Sequence, residues 1–277
     1  RNMTVHEELL CSRIHPLDAE LLLAHVLKES REHLLAHPEE RLRPAALRRF
    51  RGLVARRRKH EPVAFLIGHK HFYDLTLAVA PGVLIPRPET EMLVEEAIAT
   101  APKMVIDVGT GSGAISLALA KHLPKTRVIA TDLSLAALRL ARKNAQVLGL
   151  SKRVRFVRAD MLQKQGGKNP PLQPDMIVAN LPYLPTAVWR SAPPDVKQYE
   201  PRSALDGGRD GLDAYRRLFA MIIHQGVMNH ALTTVLIEID PSQKRILPVV
   251  VKRFFPKGRV TFKKDLAGRW RVAVIHP

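Results

Sequence analysis

The chain is poor in cysteine, in aromatic residues and in long apolar runs. Cys11 is the only cysteine in 277 residues, which excludes an internal disulfide and fits a reducing compartment. A catalytic thiol would need a base partner, and nothing near Cys11 in sequence supplies one, so a small helix residue is the plainer reading. No apolar stretch approaches the roughly 20 residues that a membrane span needs. The opening residues, Arg1 to Glu8, have neither an apolar signal core nor an acid-poor transit character. A soluble, cytoplasmic, monomeric protein with no membrane association is expected. His33 and His37 are spaced i,i+4 and His69 and His71 alternate, but neither pair has a third ligand close by, and no metal is expected.

What is abundant is positive charge. Lys and Arg number 44 against 26 acids, a formal net charge of +18. The excess is uneven: residues 41–60 hold nine Lys or Arg and no acid, and 241–277 hold ten against Asp265 alone. Such fields attract polyanions, so nucleic acid is a conceivable partner, although a solvated basic helix face explains the first run equally well. Phe50 is the only aromatic residue in that run, which does not support stacking on single strands.

At this length and 46% hydrophobic content a catalytic domain with a smaller companion is expected. Residues 1–60 read as a helical docking domain: Pro16 suits a first helical position ahead of Leu17, Ala19, Leu21, Leu22, Val26 and Leu27, and a second helix fits Pro44 to Lys59. Residues 61–88 read as a linker, with short strands over Pro62–Gly68 and His71–Ala80, the latter forming a hairpin. From residue 89 to 277 the pattern alternates. Strands are expected at Met104–Val108, Arg127–Thr131, Val154–Val157, Asp175–Ala179, Thr234–Ile239 and Trp270–Ile275. Helices fall at Glu91–Ala99, Ala114–His122, Leu133–Leu148 and about Leu212–Met228, and a Pro/Gly-rich loop at 165–174. This implies an α/β fold with a mostly parallel sheet covered on both faces, whose ligands bind at the carboxyl ends of the strands.

Asp107-Val108-Gly109-Thr110-Gly111-Ser112-Gly113 lies between a strong strand and a helix, where glycines let the backbone turn tightly and approach a ligand. The spacing is G-x-G-x-G rather than the G-x-G-x-x-G of a dinucleotide site, and it resembles motif I of class I methyltransferases. Asp132 ends the next strand, where a carboxylate can accept both hydroxyls of a ribose. Asp160 ends the one after, where it could meet an adenine amine with Met161 beside the ring. A single such acid is easily a helix cap, and Asp132 precedes a helix; three at successive strand ends are harder to explain that way. A nicotinamide dinucleotide is the competing cofactor, but no Tyr-x-x-x-Lys or similar hydride-transfer set is present.

Asn180-Leu181-Pro182-Tyr183 follows the strand beside the glycine loop. The lone pair of a planar NH2 is delocalised. Two fixed oxygens that accept both its hydrogens favour a pyramidal nitrogen and aim the lone pair at an electrophilic methyl group. Asn180 can supply one oxygen and the Leu181 carbonyl the other, while Tyr183 can pack flat on the target. The plainer alternatives are a loop-capping Asn, a turn-forming Pro182 and a core Tyr183.

With these motifs the chain resembles the HemK/PrmC family, the S-adenosylmethionine-dependent glutamine N5-methyltransferases that modify the Gly-Gly-Gln motif of class I peptide-chain release factors. The resemblance spans nearly the whole length: Asp18–Leu23, Glu61–Gly68, Leu84-Ile85-Pro86-Arg87-Pro88-Glu89-Thr90-Glu91, the glycine motif, and Glu200–Leu205. It implies a Rossmann-like class I fold with a seven-stranded sheet, a small helical domain and a β-hairpin linker. It further implies that Gly109 to Gly113, Asp132, Met161 and Asn180 contact S-adenosylmethionine, that Asn180 to Tyr183 hold the glutamine, and that Arg87 and Glu89 shape the pocket wall. The departure is Leu181, where the family usually has Pro. A backbone carbonyl survives that change, though the locked φ does not.

Two other readings stay open on sequence. An adenine N6-methyltransferase acting on DNA or RNA uses the same four-residue grip and would explain the charge, but would need a flipped base. After Tyr183 little chain is left for a separate recognition domain. A cofactor-binding regulator without catalysis is disfavoured by intact Asn180 and Tyr183.

Overall fold

The computed structural model describes residues 3–164, 173–224 and 233–277. The chain folds as two compact units, Arg1–His69 with Pro193–Tyr199, and Lys70–Ala192 with Glu200–Pro277.

The smaller unit is helical: α1 (Val5–Cys11), α2 (Pro16–Leu27), α3 (Arg31–Ala36), α4 (Pro44–Arg57) and α5 (Val63–Ile67). The starts are chemically marked. Thr4 and Glu7 form a reciprocal capping box on α1, Ser30 caps α3, and Pro16 and Pro44 occupy the opening turns of α2 and α4. Their apolar faces meet in a core of Val5, Leu22, Leu23, Leu34, Leu42, Phe50 and Val54. Buried Glu8 accepts a two-pronged bond from Arg51 at 2.9 Å, and Asp18 accepts from Arg57 Nε at 2.7 Å.

The stretch 62–68, expected as a strand, is helix α5. Pro62 presets the turn and its carbonyl accepts from Phe65 and Leu66, while Gly68 ends the helix at φ +82° with its N–H on Ala64 O at 2.8 Å. Leu66 joins the helical core, and that burial decides for a helix where local β-branching pointed to a strand.

The remaining elements are the hairpin β1 (His69–Phe72) and β2 (Leu75–Ala78), then α6 (Glu91–Thr100), β3 (Met104–Val108), α7 (Ala114–His122), β4 (Arg127–Asp132), α8 (Leu135–Val147), β5 (Val154–Asp160), β6 (Gln163–Lys164), β7 (Met176–Ala179), α9 (Thr186–Arg190), α10 (Pro194–Tyr199), α11 (Asp213–His224), β8 (Thr234–Glu238), α12 (Leu247–Phe254), β9 (Arg259–Lys264) and β10 (Trp270–His276). Of these, α10 belongs to the smaller unit. The sheet order is β6-β5-β4-β3-β7-β8-β10-β9. Strands β5, β4, β3, β7 and β8 run parallel, β6 pairs antiparallel with β5, and β10 and β9 close the far edge antiparallel. The expected seven-stranded body is present, extended by the two-residue β6. Strand β9 and helix α12 were not anticipated. The expected helix to Met228 is seen to His224, and 225–228 lie outside the described residues, as does most of the loop 165–174.

The central strands are buried on both faces. Along β3, Val105 points into the cluster with α6 and α7, while Ile106 and Val108 point into the cluster with α11 and α12. The chain winds outward from β3 through β4 to β5, then returns to place β7 on the other side of β3. That reversal opens a crevice at the carboxyl ends of the strands, where α/β sheets bind ligands.

Candidate active site

A cavity of about 410 Å³ lies at this reversal, within the range of small-ligand sites. Its wall is built from successive strand ends: Gly109 to Ser112 after β3, Asp132 to Ser134 after β4, Asp160 and Met161 after β5, and Asn180 to Pro182 after β7. Arg87 and Thr90 from the turn before α6 complete one side. Gly113, Asp107, Tyr183 and Glu89 do not line it.

The glycine loop is braced from behind. Asp107 is fully buried, and its Oδ2 accepts from Thr110 Oγ1 at 2.6 Å and Ser116 N at 3.2 Å. Burial pushes its pKa up to about 6 against those donors. Gly113 starts α7 at φ +87°, and a β-carbon there would press on Leu117 and Ala141. These two residues therefore shape the loop, while Gly109 to Ser112 present its open face.

Asp132 is pinned at both oxygens, by Gly111 N at 2.9 Å and Ser134 N at 2.8 Å. It is not the helix cap: α8 starts at Leu135 and is capped by Ser134, whose hydroxyl accepts from Ala137 N. Burial raises its pKa, and the backbone amides of Ser134, Gly111 and Leu133 counter. A fixed carboxylate with further lone pairs on the cavity wall suits a vicinal diol. Asp160 is held by Arg217 at 2.8 Å. Met161 takes φ +54°, an unusual conformation for a non-glycine residue, and is buried on the wall. The glycine cradle, the diol acceptor and the thioether wall together fit a nucleoside with a polar tail.

The chemical end is organised by bonds that sequence did not reveal. Asn180 Nδ2 donates to Thr90 Oγ1 at 2.9 Å, Thr90 Oγ1 donates to Glu238 Oε2 at 2.6 Å, and Tyr183 Oη donates to Glu238 Oε1 at 2.7 Å. Asn180 lines the cavity, and its Oδ1 accepts no hydrogen bond from the described residues. Gln243 Nε2 binds the Tyr183 carbonyl at 2.8 Å, whereas the Leu181 carbonyl accepts no hydrogen bond from the described residues. The residues expected to supply two acceptors therefore sit side by side on the wall. Tyr183 stands behind them, its hydroxyl anchored inward. Arg87 is fixed by Glu200 at 2.5 Å, which also accepts from Ile85 N at 3.0 Å. Glu89 instead faces Arg271 at 3.6 Å.

Thr90, Glu200, Glu238 and Gln243 are the residues that sequence reasoning left without a role. Glu238 had a signal. It is an acid at the end of an otherwise apolar strand, the same feature that singled out Asp107, Asp132 and Asp160.

Comparison with known proteins identifies the family and the fold. Residues 11–68 match the family model of the PrmC N-terminal domain and 88–188 that of the methyltransferase small domain. A release factor glutamine methyltransferase of Moorella thermoacetica is 48% identical over 206 residues, 73% of this chain and 71% of the relative. One of Coxiella burnetii is 37% identical over 270 residues, covering 95% and 92%. Among solved structures, a methyltransferase from Pyrococcus furiosus (TM-score 0.52, 19% identity, 73% of this chain and 88% of that one) and the hMettl16 catalytic domain in complex with an RNA hairpin (0.55, 18%, 73% and 75%) share the fold. The two family-model matches, and relatives of this identity along most of its length, show that the chain belongs to the release factor glutamine methyltransferase family.

Proposed function

We propose that the protein transfers a methyl group from S-adenosylmethionine to the side-chain amide nitrogen, N5, of the glutamine in the Gly-Gly-Gln motif of class I release factors, in the cytoplasm. The observation that carries this reading is the pairing of Asn180, anchored through Nδ2, with a Leu181 carbonyl that no described residue occupies. When bound, S-adenosylmethionine supplies an electrophilic methyl on a sulfonium. Gly109 to Ser112 would cradle its polar tail, Asp132 its ribose, and Asp160 and Met161 its base, with Asp107 and Gly113 holding the loop in shape.

The chain's own contribution is positional. Asn180 Oδ1 and Leu181 O take the two amide hydrogens of the glutamine, which works against delocalisation and directs the nitrogen lone pair into the cavity. The amide nitrogen releases its proton readily once alkylated, so a side-chain base is not required. Arg87, fixed by Glu200, forms part of the wall.

The test is incubation with labelled cofactor and, separately, a release factor, the same factor with its motif glutamine changed to alanine, duplex nucleic acid and single-stranded nucleic acid. Label is expected in the intact factor alone. Label in nucleic acid but not in the factor overturns the reading in favour of an adenine N6-methyltransferase.

A further inference from the structure

An asparagine amide has nearly the same shape at its two ends and opposite polarity. Facing a substrate NH2, Oδ1 accepts a hydrogen bond, whereas Nδ2 would set donor against donor. The orientation of Asn180 therefore decides whether its grip works at all.

We propose that Thr90 and Glu238 are positioning residues that fix this orientation: the Glu238 carboxylate takes the single Thr90 hydroxyl proton, leaving Thr90 Oγ1 only able to accept. Nδ2 of Asn180 is then the end drawn to Thr90, and Oδ1 is the end turned to substrate. The inference rests on the reading of Asn180 as the amide grip.

Three observations support it. The contacts form one unbroken chain, Asn180 Nδ2 to Thr90 Oγ1 at 2.9 Å and Thr90 Oγ1 to Glu238 Oε2 at 2.6 Å. Thr90 and Glu238 are buried, at 4% and 0% exposure, so solvent offers Thr90 no ready alternative partner. The other Glu238 oxygen is taken by the Tyr183 hydroxyl at 2.7 Å, so one carboxylate ties both the amide and the ring of the four-residue grip. Reversal of the amide would leave a buried hydroxyl with a mismatched partner, which is costly.

The direction of the relay depends on the charge of Glu238. Around it stand the Thr90, Tyr183 and Tyr215 hydroxyls, the Glu89 carboxylate and the Arg271 guanidinium. Burial raises the Glu238 pKa and Glu89 adds to this, while the Thr90 and Tyr183 hydroxyls and Arg271 oppose. Once Glu238 is protonated its own proton can point to Thr90, and Thr90 is then free to donate to Asn180 Oδ1. Falling pH thus turns the grip to its non-productive polarity.

The experiment compares the wild type with Thr90→Val, Thr90→Ser and Glu238→Gln. With a release factor as substrate, Thr90→Val is expected to lower kcat about tenfold to a hundredfold while cofactor affinity stays close to wild type. Thr90→Ser, which keeps the hydroxyl, should restore most of the rate. Glu238→Gln should remove the Glu238-dependent fall of kcat toward acid pH.

A second readout is independent of transfer: the Asn180 side-chain NH2 resonance, assigned by its loss in Asn180→Ala, should move with pH in the wild type and lose that transition in Thr90→Val. An unchanged kcat in Thr90→Val overturns the proposal, as does a Thr90→Ser rate as low as that of Thr90→Val, or an Asn180 resonance indifferent to pH. If the wild type labels no release factor yet the resonance behaves as described, the relay stands and the assignment of substrate falls.

Discussion

A β-carbon on Gly109 would lie 2.9 Å from Leu181 Cδ2, so the leucine after the gripping asparagine packs directly on the first glycine of the loop. Gly109 also holds φ +77°, which an L side chain adopts only with strain of about 1–3 kcal/mol. Gly109→Ala is expected to weaken cofactor binding by about tenfold or more. Adding Leu181→Ala should recover part of that loss, because it removes the clash and leaves only the backbone strain. Strictly additive effects in a double-mutant cycle would show that the contact carries no energy.

The same contact sharpens what the unusual Leu181 does. Its carbonyl is the proposed acceptor, and its side chain is buried against the loop. The backbone amide of Leu181 also approaches the Tyr215 hydroxyl. Leu181→Pro keeps the carbonyl and loses the other two contacts. Turnover within about tenfold of wild type is expected, with a stability loss on the order of 1–2 kcal/mol. A fall of several orders in turnover with cofactor affinity unchanged would refute the carbonyl argument.

Asn180→Ala removes one of the two acceptors and leaves the wall contributed by Asp132 and the glycine loop intact. Loss of transfer by about a hundredfold to a thousandfold is expected, with cofactor binding still measurable by calorimetry. Survival of transfer would mean that the grip is not what activates the nitrogen.

The strands and the glycine loop were legible because each rests on a local rule: a run of apolar residues ended by an acid, or glycines at a strand-to-helix turn. What was not legible depends on distant partners. Glu238 meets Thr90 across 148 positions and Tyr183 across 55, and no spacing rule reaches that far. Val63–Ile67 was misread because its five apolar residues suit either state, and burial of Leu66 among the helices decides. Strand β9, Arg259–Lys264, alternates, with Val260 and Phe262 packed on the core between exposed Arg259, Thr261 and Lys263, but two apolar residues among three basic ones on a sheet edge are too short a pattern to mark a strand.

The basic run at 41–60 divides into two kinds of residue. Arg51, Arg56 and Arg57 are paired with Glu8, Glu61 and Asp18, and Arg58 donates to Ser12 O. These hold the small helical unit together, and Arg57→Ala should destabilise it by about 1–2 kcal/mol. Arg43, Arg48 and Arg49 are exposed and form no ion pair among the described residues. If the run steers an acidic surface of the release factor, reversing those three charges should slow association more at low salt than at high salt. Equal slowing at both, read by stopped-flow binding, would return the run to a solvated face.

Asp107 makes stability depend on pH in a direction opposite to that of most carboxylates. Its pKa rises from an ordinary 3.8 to about 6 on burial, so between those values the folded chain binds more protons than the unfolded one, and stability falls as pH rises. The contribution is fully present below about pH 4 and gone above about pH 6. A shift of that size corresponds to something on the order of 2–3 kcal/mol. Asp107→Asn cannot ionise and keeps the shape of the side chain. The stability of the wild type relative to Asp107→Asn, from urea unfolding at successive pH values, should therefore decline from pH 4 to pH 6 and level off beyond. A flat difference across that window would show that the carboxyl is already ionised at pH 4 and that the loop is held by a buried charge.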